Sequence, residues 1–304
     1  MAIALFDKRK LDVTRARFKA WWDGAEFDPA TVPETPEAVN ESSPDDELFD
    51  APELPRSARL QALALLWGDE RILPGDDTAD RLAPAQLGVA ADGLIGVLGP
   101  GLIAPVTALA AAHEGPIAAF EWRDETHEFL ADGLKRGKLG ERVTATRIDL
   151  ETHPFEADKF DGVWSLDEFT YADEPTRFAH HLAKTVKPDR CVLVEFYAGL
   201  PSPDIAPAFA SAFAEPHIRA AGDVAHFLIE SGLKIEAQDD LTEEHLDCAK
   251  QAFKRLESRL KEAGGVDTAI ARELAWETEA WRARLKLLAA GRLERRRIVA
   301  RKPA

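Results

Sequence analysis

The sequence predicts an α/β protein built on a doubly wound, mostly parallel sheet with helices on both faces. Between residues 93 and 199, short apolar runs alternate with helical stretches. The runs LIGVL, PIAAFEW, RVTATRIDL, FDGVWSL and CVLVEFYAG are predicted strands, several of them nearly continuous in apolar residues, which is typical of strands buried on both faces. Because helices separate the strands, right-handed crossovers and a parallel sheet are expected.

The first 56 residues differ in composition from the rest of the chain. Apolar and basic residues interleave over residues 3–22, which predicts a short amphipathic helix. Residues 24–56 are rich in Pro, Asp, Glu and Ser, which predicts an acidic linker. We therefore expect one folded domain over residues 57–304, with a core at 85–240 and further elements at 241–304.

Helix and strand signals divide that domain further. Ser57 and Gly68 are typical of the start and the stop of a helix, and a second helix is expected over 77–87. The segment 200–216 is expected to form a loop or lid. Helical patterns cover 222–231, 243–263 and 267–290, LKIEAQDDL is a predicted outer strand, and LERRRIVARKPA has the arginine-guarded pattern of an exposed edge strand.

Composition excludes several classes of function. The chain carries 54 Asp and Glu against 38 Lys and Arg, a formal net charge of −16, which repels nucleic acid and anionic membranes. No run approaches the roughly 20 apolar residues of a membrane helix, and the N-terminus has no signal-peptide pattern, so we expect a cytoplasmic protein. His180 and His181 are adjacent in a predicted helix and point to different faces, so no metal site is expected.

Three features fall at the carboxyl ends of the first three predicted strands, where doubly wound sheets bind ligands. Gly99-Pro100-Gly101 follows the first strand and allows a tight turn close to a ligand. Glu121 ends the second strand, where a carboxylate can accept the hydroxyl groups of a ribose. Asp149 ends the third, where it can accept a hydrogen bond from an adenine amino group.

In order and spacing, these stretches resemble the class I S-adenosylmethionine-dependent methyltransferases over residues 85–240. The matching stretches are IGVLGPGLI, FEWRDE, RIDLE, FDGVWSLDEF and LAKTVKPDRCVLVEF. The resemblance implies a seven-stranded Rossmann-like fold with S-adenosylmethionine as the cofactor. The segment HFLIESGLKIEAQDDLTEEHL is similar to a stretch of the members that methylate small molecules, so a small-molecule acceptor is expected.

The resemblance also implies site residues. Those expected to bind the cofactor are Gly99, Gly101, Glu121, Trp122, Asp149, Leu150 and Ser165. Candidates for catalysis lie at the end of the fourth strand and are Asp167, Glu168 and Tyr171, with Glu195 and Tyr197 at the end of the fifth. Most of the rate would come from aligning the nucleophile with the methyl group, and a general base would assist a hydroxyl or ammonium acceptor.

Two competing hypotheses use the same residues. The family often has an acidic residue at the position of Val97 and a third glycine at that of Ile103, so Ile103 and Pro100 are expected to crowd and stiffen the glycine loop. A protein with this fold but without catalysis would serve as a binding or regulatory partner, with its C-terminal helices forming a homodimer interface or a lid. A nicotinamide-dependent oxidoreductase would share the loop and Glu121, with Ala104 in place of its third glycine.

Overall fold

The computed structural model describes residues 57–68, 70–199 and 217–304. The expected N-terminal helix at 3–22, the acidic linker at 24–56 and the loop or lid at 200–216 lie outside these residues. Each of these three remains a prediction.

Seven strands in the described residues form a single sheet. They are β1 (Ile95–Leu98), β2 (Ile117–Glu121), β3 (Val143–Arg147), β4 (Phe160–Leu166), β5 (Val186–Gly199), β6 (Lys234–Asp240) and β7 (Leu293–Arg301). The sheet order is β3-β2-β1-β4-β5-β7-β6. Strands β1 to β5 are parallel, whereas β7 runs antiparallel to both β5 and β6. The predicted doubly wound, mostly parallel sheet is confirmed.

The expectation that the C-terminal strand is an exposed edge is wrong. Strand β7 lies between β5 and β6, and β6 is the outer strand, exposed along almost its whole length. The arginines of β7 do not guard an edge, because several of them pair with acids on the neighbouring strands. Arg297 binds Glu195 of β5, and Arg301 binds Glu236 of β6. Pairing with these acids allows so many charges to lie inside a sheet.

Helices cover both faces of the sheet. They are α1 (Ala58–Trp67), α2 (Asp77–Asp80), α3 (Ala83–Leu87), α4 (Ile103–Ala112), α5 (Asp124–Arg136), α6 (Pro175–Thr185), α7 (Ala221–Glu230), α8 (Thr242–Glu262) and α9 (Thr268–Ala289). One core joins one face of the sheet to α1, α3, α4, α5, α8 and α9. The second core joins the opposite face to α6 and α7. This two-faced arrangement buries the apolar strands on both sides.

The helix boundaries follow local capping signals. The Ser57 side chain accepts a hydrogen bond from the Leu60 backbone N–H (3.1 Å), and Gly68 ends α1 as predicted. The Asp267 side chain caps α9 in the same way. The single helix predicted over 77–87 is instead two short ones, because α2 ends at Asp80 and α3 begins at Ala83.

Helix α1 packs on α8 and α9, so the two ends of the described domain meet in one layer. Trp67 of α1 makes an edge-on ring contact with Trp281 of α9 (ring centroids 4.7 Å apart) and another with Phe253 of α8 (5.9 Å). Apolar residues on α8 and α9 are therefore used within the chain. Near the carboxyl end of β5, Tyr197 contacts His245 of α8 and Arg284 of α9, so this layer reaches that edge of the sheet.

Candidate active site

The turn after β1 requires glycine at two positions. A Cβ atom on Gly99 would lie 2.8 Å from both the Cβ and the carbonyl oxygen of Leu166, and the Leu166 backbone cannot easily give way. Gly101 has φ +72, and a Cβ there would lie 2.1 Å from Cγ1 of Ile72. The turn is therefore closely packed by the end of β4 on one side and by Ile72 on the other.

Glu121, at the end of β2, closes this turn. Its Oε1 accepts a hydrogen bond from the Leu102 backbone N–H (2.7 Å), and the residue is fully buried. Its Oε2 is also buried and has no hydrogen-bond partner. Burial raises the pKa of Glu121 to about 7, against the lowering effect of the Leu102 N–H. The site thus has one carboxylate oxygen fixed to the glycine turn and a second, enclosed oxygen without a hydrogen-bond partner.

Ile103 does not crowd the glycine loop. Its side chain packs onto α5, where a Cβ on Gly133 would come within 2.4 Å of it. Ile103 is the first residue of α4, and its buried side chain belongs to the core in which α4 and α5 meet. The expectation that Ile103 would fill the loop is wrong, and Gly133 is the residue that makes room for it.

An aromatic and cationic stack follows β2. The rings of Trp122 and Tyr171 lie with centroids 4.8 Å apart, and the Arg123 guanidinium lies 4.5 Å and 4.7 Å from their respective centroids. All three side chains are half-buried. The structure thereby brings together Trp122, expected at the cofactor, and Tyr171, expected at the reaction centre.

The remaining predicted cofactor residues differ in burial. Asp149 lies beyond the end of β3 and is exposed, with its Oδ1 accepting from the backbone N–H groups of Glu151 (3.0 Å) and Thr152 (2.9 Å). Leu150 is buried. Ser165 is fully buried in β4, and its hydroxyl has no hydrogen-bond partner. Of these three, Ser165 offers a buried polar group that is not already used.

Glu168 is the most isolated acid of the site. It begins a short 3₁₀ turn after β4 (Glu168–Thr170), it is 1% exposed, and neither of its carboxyl oxygens has a hydrogen-bond partner. Burial and then the negative charges of Glu121 and Asp167 raise the pKa of Glu168 well above its ordinary value. A buried carboxyl with two unused oxygens is costly unless a ligand or a proton compensates it.

Asp167 and Glu195 belong to a four-membered ion cluster with two arginines of β7. Asp167 pairs with Arg295, and the Arg295 Nη2 lies 3.4 Å from Glu195 Oε2. Arg297 donates to Glu195 Oε1 through Nε (3.1 Å) and Nη2 (2.9 Å). Asp167 also has a left-handed backbone, with φ 62. Because both acids are neutralised within the protein, neither is a good candidate for a free general base.

Tyr197 lies beside the ion cluster and contacts His245 and two arginines. Its hydroxyl hydrogen-bonds His245 Nε2 (2.7 Å), and its ring lies between the guanidinium groups of Arg284 (4.4 Å) and Arg295 (4.8 Å). Burial, and then the charges of Arg295 and Arg284, hold the pKa of His245 well below its ordinary value. Tyr197 and His245 thus pack against Arg295 of the ion cluster.

Two cavities adjoin the glycine turn. The larger has a volume of about 340 Å³, and its lining includes Ile72, Gly101, Asp167, Glu195, His245 and Arg295. The smaller, about 90 Å³, is lined by residues that include Pro100, Arg123, Tyr171 and Trp276. Pro100, Ile72 and Leu73 line both, so the two cavities are separated only by the turn and the segment that covers it.

Sequence reasoning missed Arg295 and Arg297, which it assigned to an edge. The alternation of arginines in LERRRIV was visible, with Arg295 and Arg297 two apart and therefore on one face of a strand. It also missed Arg219, which donates to the carbonyl oxygens of Phe169 and Ala172 (2.8 Å for the latter). Arg219 holds the turn that carries Glu168, and no sequence pattern indicated that contact.

Within residues 57–68, 70–199 and 217–304, no group of three or more His, Cys, Asp or Glu side chains has an arrangement that could hold a metal ion. In the same part of the chain, no helix has the length and apolar character needed to cross a membrane.

The comparisons with known proteins agree at the level of fold. No protein-family model and no curated protein matches the sequence. A solved protein from Galdieria sulphuraria, assigned as a sarcosine dimethylglycine methyltransferase, is similar at 15% identity and a TM-score of 0.66, over 81% of this chain and 98% of that one. Phosphoethanolamine N-methyltransferase 2 from Haemonchus contortus, solved with S-adenosyl-L-methionine, matches at 17% identity and a TM-score of 0.70, over 81% of this chain and 57% of that one. The [4+2]-cyclase SpnF matches at 17% identity and a TM-score of 0.62, over 81% and 93%.

The sheet order separates this fold from that of the nicotinamide-dependent oxidoreductases. The dinucleotide-binding fold has the strand order 3-2-1-4-5-6 in a mostly parallel sheet. In this chain an antiparallel β7 is inserted between β5 and β6. Together with the structural neighbours, this order shows that the chain has the fold of the class I S-adenosylmethionine-dependent methyltransferases.

Proposed function

We propose that this protein transfers the methyl group of S-adenosylmethionine to a small molecule. The observation that carries the proposal is the pairing of the buried Glu121 carboxyl with the glycine turn at Leu102, which leaves Oε2 without a partner. Solved proteins of the same fold include small-molecule methyltransferases, which supports the same reaction class. Fold alone does not fix the reaction, since the same fold includes a [4+2]-cyclase.

The residues at the carboxyl edge of the sheet fit the cofactor. Glu121 Oε2 would accept a ribose hydroxyl, and the Ser165 hydroxyl is a second buried polar group without a partner. The Gly99–Gly101 turn would lie beside the methionine part. Trp122, Asp149 and Leu150 are proposed to contact the adenine. When bound, S-adenosylmethionine would supply an activated methyl group on a sulfonium.

Binding over the glycine turn requires a local shift. Ile72 packs where a Cβ on Gly101 would lie, so its side chain fills the space above the turn. The preceding residue, Arg71, is held by ion pairs to Asp77 and Asp80 of α2. We expect the segment around Ile72 to move outwards when the cofactor binds, and α2 to move with it.

Among the catalytic candidates, Glu168 is the best general base. Asp167 is neutralised by Arg295, and the Tyr171 ring contacts both Trp122 and Arg123. Glu168 has two unused oxygens, and burial raises its pKa well above the ordinary value, which makes its carboxylate a stronger base. Asp167 and Tyr171 would then position the turn and the substrate.

Calorimetric titration with S-adenosylmethionine and S-adenosylhomocysteine tests the proposal. The wild type should bind both in the micromolar range, and Glu121→Ala should lose this binding. Glu128→Ala is the matched control, because Glu128 is an exposed residue of α5 and its loss should leave binding unchanged. A wild type that binds neither ligand at millimolar concentration would contradict the proposed function and favour a regulatory partner without catalysis.

Several finer expectations remain predictions. The net charge of −16 supports a protein without a nucleic-acid partner, and a cytoplasmic location is expected on the same sequence grounds as above. A homodimer through α8 and α9 would have to use the surfaces of these helices that α1 does not cover. Sedimentation of the full chain would test that expectation.

A further inference from the structure

We propose that the methyl acceptor is an amine, whose ammonium group binds the Glu168 carboxylate and transfers its proton to it. This inference rests on the proposed function, because it names the substrate class of the same site. It is drawn from the balance of buried charges at the carboxyl edge of the sheet.

Four buried carboxyl groups lie at this edge, on Glu121, Asp167, Glu168 and Glu195. Two of the four are neutralised within the chain, since Asp167 pairs with Arg295, and Glu195 with Arg295 and Arg297. In the part of the chain that the structure describes, Glu121 and Glu168 form no ion pair. Three of their four carboxyl oxygens have no hydrogen-bond partner. The site therefore has an excess of buried acid that the fold does not compensate.

The cofactor would use only part of this excess. If Glu121 Oε2 accepts a ribose hydroxyl, both oxygens of Glu168 remain. Glu168 itself lines neither cavity, but its chain neighbour Asp167 lines the larger one and Tyr171, three residues on, lines the smaller one. A ligand that reaches Glu168 must offer hydrogen-bond donors or a positive charge, because both carboxyl oxygens are buried without partners.

An ammonium group meets this requirement better than a hydroxyl or a carboxylate. It carries up to three donors and one positive charge, so it satisfies both oxygens and neutralises the acid, whereas a hydroxyl offers one donor and no charge. A carboxylate would add a further negative charge beside Glu121, Asp167 and Glu168. Among the described residues, the positive charge of Arg123 lowers the pKa of Glu168, but the two side chains form no ion pair.

Methylation of the amine would take place in two steps, a proton transfer to Glu168 and then the transfer of the methyl group. The ammonium proton moves to a Glu168 oxygen, which leaves a neutral amine with a free electron pair on nitrogen. A new N–C bond forms to the methyl carbon while the C–S bond of the sulfonium breaks, and its electron pair stays on sulfur. The products are the methylated ammonium and S-adenosylhomocysteine, and Glu168 later releases its proton to water.

The test uses the full chain with S-adenosylmethionine and a library of primary and secondary amines, each with its hydroxyl isostere, and detects methylated products by mass. Methylation of amines and not of their isosteres is expected. Glu168→Gln should bind S-adenosylhomocysteine as the wild type does, yet lose roughly 10²- to 10⁴-fold in methyl transfer at neutral pH. That loss should shrink as rising pH deprotonates the amine in solution, which a purely structural defect would not produce.

A binding measurement supplies a readout other than activity. The amine found in the screen is titrated calorimetrically into protein saturated with S-adenosylhomocysteine, in two buffers of different ionisation enthalpy. Because an ammonium group favours the ionised form of Glu168, whose pKa burial raises well above its ordinary value, amine binding should release more protons in the wild type than in Glu168→Gln. Glu128→Gln, an exposed change of the same chemistry, should behave as the wild type.

The outcomes separate the two proposals. Failure to bind S-adenosylmethionine overturns the proposed function. Cofactor binding together with methylation of alcohols or carboxylates only, or of no amine at all, overturns the amine acceptor and leaves the proposed function standing. Unchanged methyl transfer by Glu168→Gln overturns the role of Glu168.

Discussion

The backbone N–H of Leu102 donates to the Glu121 carboxyl over 2.7 Å, so the acid that ends β2 is bound to the turn that ends β1. This contact joins the ends of two neighbouring parallel strands through residues that are 19 positions apart in the sequence. It fixes one carboxyl oxygen of Glu121 and leaves the other without a partner. Because the buried carboxyl has a raised pKa, the free energy of unfolding depends on whether Glu121 is ionised.

Glu121 should make the protein less stable as the pH rises. Its pKa is about 7 in the folded protein against 4.5 ordinarily, so between these values the folded state holds a proton that the unfolded state has lost. Stability from this group is complete below pH 4.5 and is lost as the pH rises towards 7, by about 3 kcal/mol in all. Glu121→Gln should lack this loss.

Urea unfolding of wild type and Glu121→Gln at a series of pH values checks this expectation. The difference in unfolding free energy should grow in favour of the variant from pH 4.5 to 7 and then level off. Two curves that run parallel over this range would show that Glu121 ionises normally in the folded protein.

Gly101→Ala should destabilise the fold through two separable effects. The left-handed backbone at φ +72 costs an alanine about 1–2 kcal/mol. The new Cβ would also meet Ile72 Cγ1 at 2.1 Å, which adds a clash. In an Ile72→Ala background only the backbone cost should remain.

Chemical denaturation of the four proteins in this double-mutant cycle measures the coupling. Gly101→Ala should cost clearly less in the Ile72→Ala background than in the wild type. Equal costs in both backgrounds would mean that Ile72 does not pack on the turn.

Ile103→Ala should affect stability and leave the cofactor site intact. Because the side chain is buried against Gly133, its truncation should cost about 2–5 kcal/mol. The Kd for S-adenosylhomocysteine should change by less than about threefold, well under 1 kcal/mol. A large gain in cofactor affinity would instead indicate that Ile103 obstructs the loop, as the sequence pattern first indicated.

Arg295→Gln should be severely destabilising. It leaves Asp167 buried without its partner and weakens the hold on Glu195, and removing one member of a buried pair costs about 3–5 kcal/mol. Lys261→Gln, which breaks the exposed pair with Glu257 on α8, should cause no measurable change. Urea denaturation at neutral pH compares the two, and similar losses would place Arg295 in contact with solvent.

The sequence by itself determined the fold class and the approximate positions of the strands. Nearly continuous apolar runs separated by helices leave few alternatives to a buried parallel sheet, and the positions of the glycine turn and of Glu121 at strand ends follow from these runs. These features are local, because each depends on the burial or backbone conformation of a few consecutive residues.

The tertiary structure decided which charges are free. Sequence ranked Asp167 and Glu168 together, but β7 enters the sheet beside β5 and brings Arg295 to Asp167 while leaving Glu168 without a cation. It likewise turned Ile103 towards Gly133 and away from the glycine loop. Asp167 and Arg295 are 128 positions apart in the sequence. Their electrostatic energy depends on their distance in space, and a local sequence pattern does not contain that distance.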